Sequence, residues 1–482
     1  MNTTARPPLS RATAHRLPPP LRPVIDPGAP GRTRVVHFGI GAFHRAHQAV
    51  YTEHAAARSG EPWGITAVAP SSLEVVRTLR AQDGLYSVTA QHPDGPRTRV
   101  IASLTGALAM GPDADRVDAL LADPEVTVVT LTITEKGYHA RAGTLDTTAP
   151  AVAADLAASG DPARLRTVIG RLAAGIAARM RTSAAPLTVV SCDNVAGNGT
   201  VLAAVVRAFT EAADWPDRHT VLDRMATAVA FPVTVVDRIV PAPAPADREH
   251  AATALGLTDA LPVTAEPYRQ WVLQDSFTAP RPPWELDGAL FVPDPSPYQL
   301  TKLRLLNGAH SALAYLGTAA GATTVDGALA TDWGEPLVRA LCAEVAPTLP
   351  PGGPDPTGYA ASLVTRFRNP AMGHRLSQIG SDGSLKIPER WLPALRDLRA
   401  AGHATPVLEL ALAGWAHATR PGSPTTDPAA TTLAACHRPD DPTATVRALL
   451  DALGAPDLAG DPALTAAVAA RLPALRAGRV EI

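Results

Sequence analysis

Lys302, Asn307 and His310 stand together in the segment TKLRLLNGAH, residues 301–310. An amine, an amide and an imidazole in one short stretch can perform proton-coupled chemistry on a hydroxyl or carbonyl. The lysine is the informative member. Lys plus Arg total 43, yet the only lysines are Lys136, Lys302 and Lys386. A guanidinium keeps its proton in a protein, whereas an ammonium gives it up once burial or a neighbouring charge favours the neutral form. On an α-helix, at about 100° per residue, the three side chains fall near 0°, 140° and 80°, a polar arc along roughly 12 Å of axis. A solvated helix face has the same pattern, so the elements around the arc must decide.

Those elements change character along the chain. Arg34–Ile40 reads as a short apolar strand that runs into Gly39-Ile40-Gly41-Ala42-Phe43-His44. Strand, GxG and helix in succession open a dinucleotide-binding fold, in which glycines let the backbone approach a pyrophosphate at a helix N-terminus. His44 stands where the third glycine of that fingerprint would be. Trp63–Ala69 reads as the second strand. It ends in Pro70-Ser71-Ser72 rather than the acid that binds the ribose hydroxyls of NAD, with Arg77 downstream, which leaves NAD and NADP both open.

Further strands are predicted over Thr127–Thr134, followed by Glu135-Lys136-Gly137-Tyr138, and over Leu187–Cys192, followed by Asp193-Asn194. Loops beyond strand carboxyl ends are where open α/β sheets bind ligands. A buried Asn194 there would donate its amide to an oxyanion, although Asn-Gly pairs such as Asn198-Gly199 are also common turn formers. From Pro297 onward helical periods dominate, over 299–317, 325–348, 356–368, 388–400, 405–419, 443–453 and 462–475. The expected organisation is a tail over 1–33, flexible or wrapped on the body, an α/β dinucleotide-binding domain over 34–290, and a mostly helical domain over 291–482.

Composition narrows the partners. A net charge of −2 and a pI near 6.7 give no reason to expect nucleic acid or an anionic membrane. Cys192, Cys342 and Cys436 are too far apart in sequence for a disulfide framework or metal-ligand spacing, which fits a reducing cytoplasm. No apolar run approaches the ~20 residues of a membrane span. The Pro- and Arg-rich start lacks the apolar stretch of a secretory signal.

Seven collinear segments together resemble the polyol-specific long-chain dehydrogenases, the mannitol dehydrogenase family. They are GIGAFHRAHQAVY (39–51), LTITEKGY (131–138), SCDNVAGNG (191–199), FPVTVVDRI (231–239), EPYRQWV (266–272), KLRLLNGAHSALAYLG (302–317) and RNPAMGHRLSQIGSDGSLKIPERW (368–391). The resemblance implies a Rossmann-type domain, a helical domain, and metal-independent hydride transfer with NAD or NADP at a site between the two. Residue by residue it implies Lys302 as general acid/base. Asn194 and Asn307 become the amides on the reacting oxygen, and His310 binds a substrate hydroxyl. Lys386 contacts the substrate chain, and Gly39, Ile40, Gly41, Ala42 and Phe43 form the cofactor loop.

Two positions depart from the pattern. Gln299 stands where some relatives carry a Glu that relays the proton, and Gln378 where mannitol dehydrogenases tend to have Arg. The segment from His374 to Arg390 looks more like the branch that interconverts D-mannonate and D-fructuronate, with Arg375 or Lys386 available to pair a carboxylate. Oxidation of mannitol or another polyol is the alternative. Small-molecule substrates and a monomer are the expectations that the family sets.

Overall fold

A computed structural model describes residues 6–29, 31–423 and 425–482. The chain divides into two compact units, Met1–Pro295 and Ser296–Ile482.

The first unit contains fourteen strands among its described residues. β1 is Arg32–Phe38, β2 Trp63–Ala69, β3 Tyr86–His92, β4 Gly95–Ile101, β5 Leu104–Ala109, β6 Val128–Leu131, β7 Ala140–Arg141, β8 Thr144–Leu145 and β9 Leu187–Ser191. β10 is Val229–Ala230, β11 Thr234–Asp237, β12 Val263–Ala265, β13 Gln270–Gln274 and β14 Leu290–Val292. Six form an all-parallel sheet in the order β10-β9-β6-β1-β2-β5. That is the doubly wound order in which the chain leaves β1 toward one edge and returns at β6 toward the other, opening a crevice at the carboxyl ends of β1 and β6.

Period-2 alternation explains why the sheet buries both faces. Val36, Phe38, Val129 and Leu131 pack on one side with the helices Val168–Arg181 and Asn198–Ala212. Val35, Ile65, Ala67 and Val128 pack on the other, against α2 (Gln48–Ser59), Trp271 and Trp284. The strand expected over Thr127–Thr134 is shorter than its β-branched run. Backbone pairing stops at Leu131, and Thr134–Gly137 closes a helical turn with Thr134 at φ +65°.

The expected tail is laid on the body over its described part. Leu9, Ala14 and Leu17 are fully buried with Leu85, Val100, Leu255 and Leu257, each large aliphatic chain contributing about 1.5–3 kcal/mol. Residues 1–5 lie outside the described residues.

The second unit is helical around one core. Its central helix, Gly308–Ala319, packs on Pro406–Ala418, Gly334–Val345 and Leu376–Ile379. The helix expected over 325–348 is two, Val325–Leu329 and Gly334–Val345, parted at Ala330–Trp333. The helix expected over 388–400 starts earlier, at Gly383, and breaks at Trp391. Among the described residues no helix is long and apolar enough to cross a membrane.

Candidate active site

In the first unit the candidate residues gather at the carboxyl edge of the parallel sheet. Gly39 and Gly41 belong to one turn but have different reasons to be glycine. Gly39 has φ +107°, and a Cβ there would lie 2.2 Å from the Thr132 carbonyl oxygen. Its smallness serves the close approach of β1 and β6. Gly41, the N-cap of α1 (Ala42–Ala46), is exposed, and a Cβ there would meet nothing within 4 Å. That open backbone at a helix start, over the β1/β6 crevice, suits a dinucleotide pyrophosphate. Ile40 is buried, Ala42 half-buried, and Phe43 stacks on His47 with ring centroids 4.9 Å apart.

Behind the turn lies a pair of buried histidines. His37 of β1 bonds Thr130 and Thr132 hydroxyls at 2.7 and 2.9 Å. His44 occupies the third-glycine position and stacks on His37 at 3.4 Å. Burial holds both well below the usual histidine range, His44 at about 3. Both rings are therefore neutral at pH 7.

Asn194 follows β9 and is exposed, not buried as expected of an oxygen-binding amide. Two side chains missed in the sequence hold its loop. The buried Asp193 carboxylate accepts the Ile133 and Thr134 amides at 3.0 and 2.8 Å and the Tyr138 hydroxyl at 2.8 Å. Burial raises the Asp193 pKa despite those donors. Asn198 donates to the Asp193 carbonyl at 3.0 Å and to Thr234 Oγ1 at 3.1 Å, and accepts the Thr234 amide at 2.9 Å. The only sequence signal for either was a polar residue at a strand end, which does not separate a ligand donor from a loop brace.

In the second unit Lys302, Asn307 and His310 lie on one run of helix, whose geometry differs from the one expected. Ser296–Thr301 is α-helical, but Lys302–Asn307 is a π-helix, and α-helix resumes at Gly308. The Gly308 amide bonds the Leu303 carbonyl five residues back. An i→i+5 turn brings positions five apart onto one side. Lys302 and Asn307 therefore lie nearer one face than the ~140° separation of α geometry would put them. Both are half-buried.

A π turn persists only where its surroundings satisfy the displaced backbone. Arg390 Nη1 reaches Ser311 Oγ at 2.7 Å and the Asn307 carbonyl at 3.4 Å, and Trp391 Nε1 donates to the Gly308 carbonyl at 3.2 Å. Arg304 is tied to the Thr348 carbonyl at 2.8 Å and to Asp397 at 3.0 Å.

His310 stacks on Phe367 at 4.8 Å and lies 5.5 Å from the His374 ring. Burial, then His374 and the cations Arg390, Arg366 and Lys386, hold its pKa well below the usual range. Its Nε2 is buried with no hydrogen-bond partner. Lys386 donates to the Ser381 and Ile379 carbonyls at 2.6 and 3.2 Å, with Asp382 at 4.0 Å. Burial and Arg390 lower its pKa. Arg375 is exposed, and its backbone bridges to Thr324. The π turn, His310 and Lys386 thus share Arg390 as a neighbour, whereas Arg375 faces solvent.

Residues 33–286 match the description "Mannitol dehydrogenase Rossmann domain" and residues 294–476 match "Mannitol dehydrogenase C-terminal domain". The chain belongs to the mannitol dehydrogenase family. Membership makes it an oxidoreductase of secondary alcohols. D-mannonate oxidoreductase of Escherichia coli (strain K12) is 38% identical over 398 residues, 80% of this chain and 79% of that one. A D-sorbitol dehydrogenase in substrate-free form superposes with a TM-score of 0.87 at 29% identity, covering 97% of this chain and 98% of that one. Pseudomonas fluorescens mannitol 2-dehydrogenase, a ternary complex with NAD and D-mannitol, gives 0.78 at 33% identity, covering 97% and 96%.

Proposed function

We propose that the chain is an NAD-dependent oxidoreductase that interconverts D-mannonate and D-fructuronate. The observation that carries the sugar acid is charge. The cations Arg366, Lys386 and Arg390 bear on His310, with Asp382 and Asp427 acting on Lys386 at the edge of the cluster. A substrate carboxylate would be stabilised there, and Arg390 or Lys386 is shaped to receive it. The similarity to a D-mannonate oxidoreductase supports the same reading.

In the oxidative direction Lys302 takes the hydroxyl proton. Asn307, brought nearer its face by the π turn, and Asn194 donate amide N–H groups to the oxygen as negative charge develops. His310 is neutral, and its Nε2 accepts from or donates to a neighbouring substrate hydroxyl according to tautomer. NAD bound at the Gly41 turn supplies the hydride acceptor. Ser71 and Ser72 place no carboxylate against a 2′-phosphate, so NADP is the cofactor to compare.

Steady-state kcat/KM for D-fructuronate and D-fructose, each with NADH and NADPH, tests this reading. Fructuronate with NADH is expected to win by at least tenfold. A preference for fructose would instead support mannitol 2-dehydrogenase, the reading favoured by the likeness to the mannitol complex.

A further inference from the structure

A cavity of about 520 Å³ lies within the first unit, is not lined by the Gly39–Gly41 turn, and is not used by the reaction above. One wall is the hairpin of β3 and β4. Antiparallel register sets Arg99 opposite Val88 and Arg97 opposite Ala90, and all four line the cavity. Val50 of α2 and Leu21 of the N-terminal segment form an apolar floor, with His54 of α2 beside them. Arg238 and Arg269 close the remaining side.

These two arginines differ in what neutralises them. Arg269 pairs with Asp287, which also receives Arg58 at 2.7 Å and His54 at 3.1 Å, and lies over the Tyr51 ring at 4.2 Å. Arg238 is buried and spends its donors on backbone. Nε donates to the Glu266 carbonyl at 3.0 Å and Nη1 to the Ala46 carbonyl. The Glu266 carboxylate is turned to the Ile239 amide, at 2.7 Å. The buried Glu266 carboxylate also acts electrostatically on Arg238 and favours its charged form. A buried guanidinium is costly, and an anion delivered from outside adds to the compensation that Glu266 gives. Burial and the neighbouring Arg269 already lower its pKa to about 10.

We propose that this cavity binds a phosphomonoester with a compact apolar body. Guanidinium groups on opposite walls, Arg99 and Arg97 (Arg97 already paired with the exposed Asp94 at 2.6 Å) against Arg238, suit a dianion better than a single carboxylate. Val50, Val88 and Ala90 accept the organic part. The volume lies within the range of small-molecule sites.

Titration calorimetry of the full chain with phenyl phosphate, in saturating NADH, tests this. The expected result is one submillimolar site, at least tenfold tighter than inorganic phosphate. Binding should weaken at least tenfold in Arg99→Glu and further in Arg97→Glu/Arg99→Glu, exposed positions whose variants should keep kcat/KM for the sugar substrate within twofold. No heat with the wild-type chain, undiminished affinity in the double variant, or competition between phenyl phosphate and NADH would each overturn the proposal.

Discussion

The residues offered to a ligand at the carboxyl edge of the first unit's sheet sit on loops. Other side chains hold those loops still: Asp193 spans from β9 to the turn after β6, and Asn198 ties the same loop to Thr234. In the second unit the corresponding residues sit on a helix. There the helix itself is deformed, and Arg304, Arg390 and Trp391 brace the deformation. A parallel sheet delivers its strand ends to one edge whatever the loops contain, so the loops need only be fixed. A helix presents its side chains at a set angle, so aligning an amine with an amide five residues on requires changing the helix.

The largest expected effect comes from removing the amine that the π turn brings nearer the face of Asn307. Lys302→Arg keeps the charge but not a proton that can be lost, and kcat should fall by about two to four orders of magnitude. The melting temperature should stay within ~2 °C of wild type. Asn307→Ala should cost about 10²–10³ in kcat, the loss typical of one oxyanion donor. Activity within a few-fold of wild type in Lys302→Arg would remove the chemical reason for the π turn.

Next are the two glycines of one turn. Gly39→Ala meets the Thr132 carbonyl and an unfavourable φ, and should lower stability by about 3 kcal/mol in chemical denaturation. Gly41→Ala meets no protein atom within 4 Å. It should melt like wild type and raise the Kd for NADH about tenfold. Equal effects on folding would mean that the turn is built for the protein alone.

How much of this was legible depended on whether the signal was local. Strand-GxG-helix is a contiguous pattern, and β1 lies within two residues of its expected bounds while β2 coincides with them. Lys302 was visible because lysine is scarce here. The π turn was not, since Leu303-Arg304-Leu305-Leu306 reads as ordinary amphipathic helix and the bracing groups lie some 80 residues later. Asp193 and Asn198 were hidden for a related reason. Strand-end polar residues look alike until the partner loop is in place. For the N-terminal segment composition left flexible and wrapped both open, because Leu9, Ala14 and Leu17 are too few apolar residues to outweigh its prolines and arginines.

Asp193→Asn separates holding a loop from acting on a ligand. An amide offers one acceptor oxygen to the two backbone amides and the Tyr138 hydroxyl that the carboxylate receives. Stability should drop by about 1–3 kcal/mol, the cost of an unsatisfied buried group. Through the displaced Asn194, kcat should fall about tenfold while KM for NADH changes less than threefold. Wild-type kcat with reduced stability would make Asp193 a structural brace with no hold on Asn194.

The smallest effect is on pH, and it asks which unit yields first to acid. His37 and His44 lie behind the nucleotide turn, with folded pKa values depressed below the unfolded value of about 6.5, His44 to about 3. Between those limits the unfolded chain binds more protons than the folded one, so stability falls as pH falls below about 6.5. At pH 5.5 His44 alone should cost about 1.4 kcal/mol relative to pH 8. In His44→Gln that part of the loss should vanish, and the change in unfolding free energy between pH 8 and 5.5 should shrink by about that amount. An unchanged pH slope would place the acid-sensitive groups elsewhere, with His310 in the second unit the first to examine.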